Sequence, residues 1–190
     1  MKVSKKAMGI SPSVTLEIDA KAKKLKADGL DVVGFGAGEP DFNTPRHVID
    51  AAVTAMDQGK TRYTPASGTL ELRQAICDKL LRDNGLTYQP SDIVVSNGAK
   101  HSLFNAFQAV LDPGDEVIVP AYTYCASAIP FGDLGAHIVW ADINKDTWTI
   151  DPDDFERKIT PKTKAVVAVH LLGIPCDMKR IVAIARRHGI

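Results

Sequence analysis

The sequence lacks the features that mark membrane, disulfide-rich and nucleic-acid-binding proteins. Its 190 residues carry 23 basic and 23 acidic side chains, so the formal net charge is zero and no global field would attract nucleic acid or an anionic membrane. No apolar run is long enough to cross a bilayer, and the lysines of the N-terminal "MKVSKKAMGISPSV" have no apolar segment behind them. We therefore expect a cytoplasmic protein whose ligand is a small neutral or zwitterionic molecule.

Cysteine is scarce, and its spacing disfavours a disulfide framework. The chain has three cysteines, Cys77, Cys125 and Cys176, an odd number with no CxxC pair. This usage is typical of reduced thiols in a cytosolic protein. His170 lies six residues before Cys176, but no third ligand accompanies them, so we predict no metal site.

Nucleotide-binding motifs are also missing. No Walker-type phosphate loop occurs in the chain. The stretch "GFGAGEP" places Gly34, Gly36 and Gly38 as in a dinucleotide fingerprint, but that fingerprint needs a helix to open on its last glycine. Glu39-Pro40 follows instead, and proline keeps the residue before it out of helical angles. The sequence therefore disfavours a nicotinamide or flavin site.

What is present is a regular succession of helices and strands. Before residue 92 we predict a helix over Thr15–Asp28, a strand over Asp31–Gly36, a helix with Thr44 as N-cap and Pro45 in its first position, and a helix over Thr69–Asn84. Beyond it, strands are predicted over 92–96, 116–120, 137–141 and 164–170, and helices over 99–111, 125–134, 152–159 and 177–188. Such alternation predicts an α/β fold, a mostly parallel sheet with helices on both faces.

One turn in this pattern is a candidate ligand site. The stretch "VVSNGAKHSLFNAF", residues 94–107, passes from strand to helix through Asn97-Gly98. Ligands of α/β sheets gather where strands end, and a helix N-terminus there offers unpaired N–H groups and a positive dipole end. Gly98 would let the backbone approach an anion, with the N–H groups of Ala99 and Lys100 pointing toward it. The turn is either a phosphate site or a plain connection, and its spacing leaves both open.

Longer stretches resemble known enzymes. Three of them, "SPSVTLEIDAKAKKLKADGLDVVGFGAGEPDFNTP", "RYTPASGTLELRQAI" and "VVSNGAKHSLFNAFQAVLDPGDEVIVPA", lie within residues 11–121 and resemble class I aminotransferases of the aspartate aminotransferase type. Residues 117–190, with "ITPKTKA", "VHLLGIPCDM" and a helix ending "HG", are similar to DegT-type sugar aminotransferases. The chain is thus identified as a fold type I aminotransferase, truncated or joined from two branches near residues 117–124.

The resemblance implies pyridoxal 5′-phosphate as cofactor and a homodimer as the working assembly. It assigns the cofactor phosphate to the backbone amides of Gly98, Ala99 and Lys100. It makes Tyr124 the aromatic residue that stacks on the pyridine ring, and it implies that Tyr63 reaches the phosphate held by the neighbouring subunit. Half-buried or loop tyrosines without such roles are the plain alternatives.

The same resemblance divides the chain and places one substrate residue. Residues 1–30 would form an N-terminal arm and helix of the small domain, and residues 31–190 an incomplete cofactor-binding large domain. Gly38 would lie beside the substrate, where a side chain would collide with it; its alternative role is a turn glycine.

The implied reaction transfers an amino group between an amino acid donor and a 2-oxo acid or keto sugar acceptor. Both families use a Schiff-base lysine and an aspartate that keeps the pyridine nitrogen protonated, and both positions would fall beyond Ile190. Neither Lys100 nor Lys164 matches the lysine motif, so we expect no catalytic residue in the chain and little turnover from it. The alternative is an inactive α/β fragment that binds at most a phosphate ligand, or a partner through an uncovered sheet edge.

Overall fold

The computed structural model of the chain describes residues 3–11, 13–36, 38, 40 and 42–190. Internal contacts divide it between Arg62 and Tyr63 into an N-terminal and a larger C-terminal unit. The assignment of residues 1–30 to a small domain and 31–190 to a cofactor domain stays a prediction. Among the described residues, every helix is too short or too polar to span a bilayer.

The described part of the N-terminal unit is helical. It contains α1 (Lys5–Met8), α2 (Val14–Ala27) and α3 (Arg46–Asp57). Helix α2 begins where the Ser13 hydroxyl accepts a hydrogen bond from the Leu16 N–H, which satisfies one of the unpaired donors of its first turn. Its lysines are exposed, as the sequence predicted.

Two predictions for this unit are wrong. Helix α3 has Pro45 as its N-cap rather than Thr44, because the ψ of 140° at Pro45 is extended and helical geometry starts only at Arg46. The strand predicted over Asp31–Gly36 does not form, since no described residue pairs with it in a ladder. The segment lies along α2 instead, where a Cβ on Gly36 would stand 3.3 Å from Ile18 Cγ2.

The C-terminal unit begins with α4 (Leu70–Asn84), a 3₁₀ turn at Pro90–Asp92 and α5 (Ala99–Val110). Helix α4 starts one residue after its predicted start and ends at the predicted Asn84: Thr69 is the N-cap and accepts from the Leu72 N–H at 3.3 Å, and Gly85 takes the left-handed conformation with φ 67°.

The strand predicted over 92–96 is also wrong. The described sheet has the order β2–β1–β3 and does not include this segment. The Val95 N–H donates to the Ser67 carbonyl at 3.0 Å instead, so the segment is held by the chain that leads into α4. Extended, β-branched residues form a strand only where a neighbouring strand pairs with them.

The sheet consists of three parallel strands, β1 (Glu116–Pro120), β2 (His137–Ala141) and β3 (Thr163–Val166), with β1 in the centre. The predicted strand over 164–170 ends early, although the Val167 N–H still donates to Ile118 O at 2.9 Å. Residues Val117–Val119 are fully buried, as expected of a central parallel strand covered on both faces.

Alternate residues of β1 supply two cores on opposite faces of the sheet. Val117 and Val119 pack with Phe131 on one face, while Ile118 packs with Phe155 and Ile181 on the other. The covering helices are α5 and α6 (Ile129–Asp133) on the first face, and α7 (Pro152–Arg157) and α8 (Met178–His188) on the second. The predicted α/β fold with helices on both faces is confirmed.

The helix predicted over 125–134 is divided in two. A 3₁₀ turn covers Cys125–Ser127, and α6 starts only after Ala128, whose φ of −121° and ψ of −41° interrupt the helical geometry. Pro130 explains the division, because proline lacks an N–H and is tolerated in the first turn of a helix rather than in its interior.

Candidate functional site

The turn at Gly98 has a backbone shape that favours glycine. Gly98 is the N-cap of α5 with φ 83° and ψ 170°, a region that side-chain-bearing residues rarely enter. Its own N–H donates to Ser96 O at 2.9 Å, and its carbonyl accepts from the Ser102 N–H at 3.2 Å. The turn is therefore closed by the backbone on both sides of the glycine.

The first turn of α5 has backbone N–H groups that are free to bind a ligand. Among the described residues, nothing accepts a hydrogen bond from the N–H groups of Ala99, Lys100 and His101, and Gly98 provides no side-chain cap. The first amides of any helix lack intrahelical partners and carry the positive end of its dipole. Three adjacent donors, one of them on the exposed Lys100, can bind a dianion such as a phosphate monoester.

His101 is part of the turn, and the sequence analysis missed it. Its Nδ1 accepts a hydrogen bond from the Asn97 N–H at 3.0 Å. A neutral ring that accepts through Nδ1 carries its proton on Nε2. The histidine thus fixes the residue before Gly98, and the signal that could have found it is the spacing of four residues between Asn97 and His101.

The turn lies toward the carboxyl end of β1. Helix α5 returns to β1 through the short connection 111–115, so the N-terminus of α5 points toward the carboxyl end of β1. Phe107 anchors the helix against Phe131 with ring centroids 4.4 Å apart. Parallel α/β sheets bind ligands at this edge.

Tyr124 follows the carboxyl end of β1 and caps the 3₁₀ turn that starts at Cys125. Its side chain is 71% exposed, so the ring is available to a ligand. Tyr63 is fully exposed and has no ring contact among the described residues. Gly38 belongs to the N-terminal unit, and a Cβ on it would meet nothing within 4 Å. By their connections to β1, the Gly98 turn and Tyr124 both lie toward the carboxyl end of that strand, and the roles of Gly98, Tyr124, Tyr63 and Gly38 all stay predictions.

A second aromatic feature at this edge was not predicted. Tyr122, just after β1, meets Trp148 edge to face, with ring centroids 5.5 Å apart and planes at 75°. Trp148 sits at φ 61° in a turn closed by Asn144, whose carbonyl accepts from the Trp148 N–H at 2.8 Å. Only the fold brings these two rings together, because they are far apart in sequence.

Asp154 holds the beginning of the loop that carries Trp148. Its carboxylate is almost fully buried and accepts from the Asp142 N–H at 2.6 Å and from Arg157 at 2.8 Å. Burial alone would raise the pKa of this carboxyl, but those hydrogen bonds and the charges of Lys158 and Arg157 outweigh it and lower the pKa below its usual value. Asp154 is therefore an ionised structural anchor.

His170 and Cys176 support a turn in the structure. His170 Nδ1 accepts from the Cys176 N–H at 3.0 Å, and the Cys176 thiol donates to Val169 O at 3.1 Å. Burial raises the pKa of the Cys176 thiol, with hydrogen bonds from Thr149 and the backbone acting against it. No cluster of three metal-ligating side chains occurs among the described residues, and all three cysteines are free thiols.

Comparison with known proteins gives consistent matches. The model of the DegT/DnrJ/EryC1/StrS aminotransferase family matches residues 64–190. An aspartate aminotransferase of Bacillus subtilis is 46% identical over 168 residues, covering 88% of this chain and 43% of the relative. A solved single mutant of the Thermus thermophilus aspartate aminotransferase has a TM-score of 0.82 at 36% identity, covering 100% of this chain and 52% of that chain. The solved alanine aminotransferase of Pyrococcus furiosus has a TM-score of 0.82 at 30% identity, and the match covers 100% of this chain and 50% of that chain.

The chain therefore spans about half the length of these relatives. The two likenesses also overlap along it. The family model begins at residue 64, upstream of the predicted change of branch at 117–124, and a match over 88% of the chain extends past that interval. Both predicted resemblances are confirmed, and neither is confined to one side of residues 117–124.

Proposed function

Because the chain belongs to the DegT/DnrJ/EryC1/StrS aminotransferase family, we propose that it binds pyridoxal 5′-phosphate as part of an aminotransferase, with the cofactor phosphate at the start of α5. The observation that carries the proposal is the row of three amides, Ala99 to His101, for which no described residue provides an acceptor. A phosphate monoester dianion provides several strong acceptor oxygens, which matches this number of donors.

The residues of the turn fit a phosphate in charge as well as in hydrogen bonding. The dipole of the 12-residue α5 places partial positive charge on these amides, and the exposed Lys100 adds a full one. Since the Gly98 N–H already donates to Ser96 O, we assign phosphate binding to the N–H groups of Ala99, Lys100 and His101. Gly98 provides the backbone conformation of the turn.

Tyr124 is the proposed ring contact. Its exposed side chain follows β1, on the edge toward which α5 points its N-terminus. A tyrosine face can stack on a pyridine ring and exclude water from one side of it. We further propose that Tyr63 binds the phosphate of a second subunit in a homodimer and that Gly38 lies beside the substrate.

When bound, the cofactor supplies an electron sink that permits proton removal at the carbon bearing the amino group. The residues of this chain bind and orient; none of them matches the lysine that would move that proton. We therefore expect the 190-residue polypeptide, assayed alone, to bind the cofactor without appreciable amino-group transfer. The proposed substrates are an amino acid donor and a 2-oxo acid or keto sugar acceptor.

The binding proposal is tested with pyridoxine 5′-phosphate and pyridoxine, which lack the aldehyde and cannot form imines with surface lysines. Titration calorimetry should give an affinity at least about tenfold higher for the phosphate form, since charge-assisted hydrogen bonds contribute about 1.5–3 kcal/mol each. Inorganic phosphate should compete with it. Equal affinities for the two ligands would remove the basis for a phosphate site at α5.

A second candidate is a non-catalytic fragment that associates through exposed apolar surface. Several large apolar residues of α3 are exposed, including Val48, Val53 and Met56. Size-exclusion chromatography with light scattering separates the two candidates. A single dimeric species favours the enzyme-like assembly, whereas a broad distribution of aggregates favours the fragment.

A further inference from the structure

The segment that leads into the phosphate turn has to be held by something other than the sheet. Residues 93–96 precede Asn97-Gly98 without joining β1, β2 or β3. The one hydrogen bond from these four residues to a distant part of the described chain is from the Val95 N–H to Ser67 O, at 3.0 Å. The position of the turn therefore depends on the loop before α4.

The contact between that loop and the segment is close. Gly68 has φ 98°, and a Cβ built on it would come within 2.7 Å of Val95 Cγ2. Such a distance excludes any side chain at Gly68 unless Val95 moves. The backbone of the loop thus lies directly against the Val95 side chain.

Arg73 joins the same loop to the 3₁₀ turn at Pro90–Asp92, which directly precedes residues 93–96. Its Nε donates to Gly68 O at 3.2 Å, and its Nη1 donates to Pro90 O at 2.8 Å. The side chain is partly buried, and within the described residues no carboxylate forms an ion pair with it. One rigid guanidinium therefore links the loop before α4 to the 3₁₀ turn from which residues 93–96 lead to the phosphate turn.

We propose that Arg73 is a positioning residue for the phosphate site, which it shapes without touching the ligand. By holding Gly68 and Pro90 together, it fixes the segment whose last residues set the direction of the α5 amides. The hydrogen bond from Arg73 Nε to Gly68 O also orients the loop that carries Tyr63, which lies five residues before Gly68. This inference rests on the proposed phosphate site.

The test compares Arg73→Ala and Arg73→Lys with Arg82→Ala, a matched control on the exposed face of the same helix. Arg82 pairs only with its neighbour Asp83 at 2.8 Å in the described structure. Each variant is titrated with pyridoxine 5′-phosphate and with pyridoxine, and its thermal unfolding is recorded. The ratio of the two affinities reports the phosphate site and is not changed by a general loss of stability.

We expect Arg73→Ala to lower this ratio by about tenfold, because the two hydrogen bonds that tie the loop before α4 to the 3₁₀ turn preceding the segment are lost. Arg73→Lys keeps the positive charge and can donate to one of the two carbonyls, so its affinity ratio should lie between those of Arg73→Ala and the unmodified chain. Arg82→Ala should leave the ratio within about twofold of the unmodified chain. Hydrogen exchange at the amides of residues 95–98 should accelerate in Arg73→Ala more than exchange at β1.

The outcomes separate the two proposals. An unmodified chain that does not prefer the phosphate form refutes the proposed phosphate site itself. A chain that does prefer it, with an unchanged ratio in folded Arg73→Ala, refutes the positioning role. If Arg73→Ala does not fold, Arg73→Lys is the deciding variant. The inference is overturned if Arg73→Lys has the affinity ratio of the unmodified chain and its amides at residues 95–98 exchange no faster.

Discussion

Replacing Gly98 with alanine tests whether the shape of the turn creates the phosphate site. A Cβ at Gly98 would meet no heavy atom within 4 Å, so the substitution causes no collision. The penalty lies in the backbone alone, because φ 83° with ψ 170° is a region that is essentially restricted to glycine. Holding alanine there costs about 1–3 kcal/mol.

The variant can avoid this cost by rotating its backbone, but the rotation redirects the N–H of Ala99. If phosphate binding requires the original backbone geometry, the bound state must restore it, and the full conformational cost of the alanine is then subtracted from the free energy of binding. A cost of about 1–3 kcal/mol corresponds to an affinity lower by about 5-fold to 150-fold. Calorimetric titration with pyridoxine 5′-phosphate measures this change directly.

Gly85→Ala is the matched control. Gly85 also has a positive φ, 67°, and a Cβ on it would also meet nothing within 4 Å, but it caps α4 at its C-terminus. Gly85→Ala should lose about 1 kcal/mol of unfolding free energy in urea, whereas Gly98→Ala should lose less, because its free state relieves the strain by rotating the backbone. Only Gly98→Ala should lose affinity, and binding within about twofold of the unmodified chain would refute the reasoning.

Two further predictions concern stability. Asp154→Asn should lower the free energy of unfolding at pH 7 by about 1–3 kcal/mol, because the N–H of Asp142 and the guanidinium of Arg157 lose their buried anionic acceptor. Leu172→Gly should raise it by about 0.5–1 kcal/mol, because Leu172 is 82% exposed and sits at φ 53°, where a side chain is unfavourable. Urea unfolding measures both.

The controls follow from the same contacts. Because the folded pKa of Asp154 is lowered, its stabilisation is complete above the ordinary carboxyl pKa of about 3.9 and is lost as the pH falls through the folded value. The difference between the unmodified chain and Asp154→Asn should therefore shrink below about pH 4. Asp153→Asn, at an exposed pair with Arg180, should cost much less than Asp154→Asn. Leu172→Ala keeps the positive φ and should gain nothing.

Local signals account for the elements that the sequence predicted correctly. The N-cap Thr69, the left-handed Gly85 and Gly189, and the β-branched run of β1 each act within a few residues, so they can be read without the fold. The largest failures are the two predicted strands at 31–36 and 92–96. Whether an extended segment joins a sheet depends on a partner that lies far away in sequence.

For the candidate site, too, the local features could be predicted from the sequence and the long-range contacts could not. The sequence by itself determined that a glycine turn leads into α5 and that Tyr124 follows β1, because turn chemistry and strand order are local properties. The structure showed the local hydrogen bonds of the Gly98 N–H to Ser96 O and of the Asn97 N–H to His101 Nδ1, whereas only the tertiary fold decided that Arg73 ties Pro90 to the loop before α4. Those contacts depend on where the backbone carbonyls and ring nitrogens lie in space, and residue identity alone does not fix that.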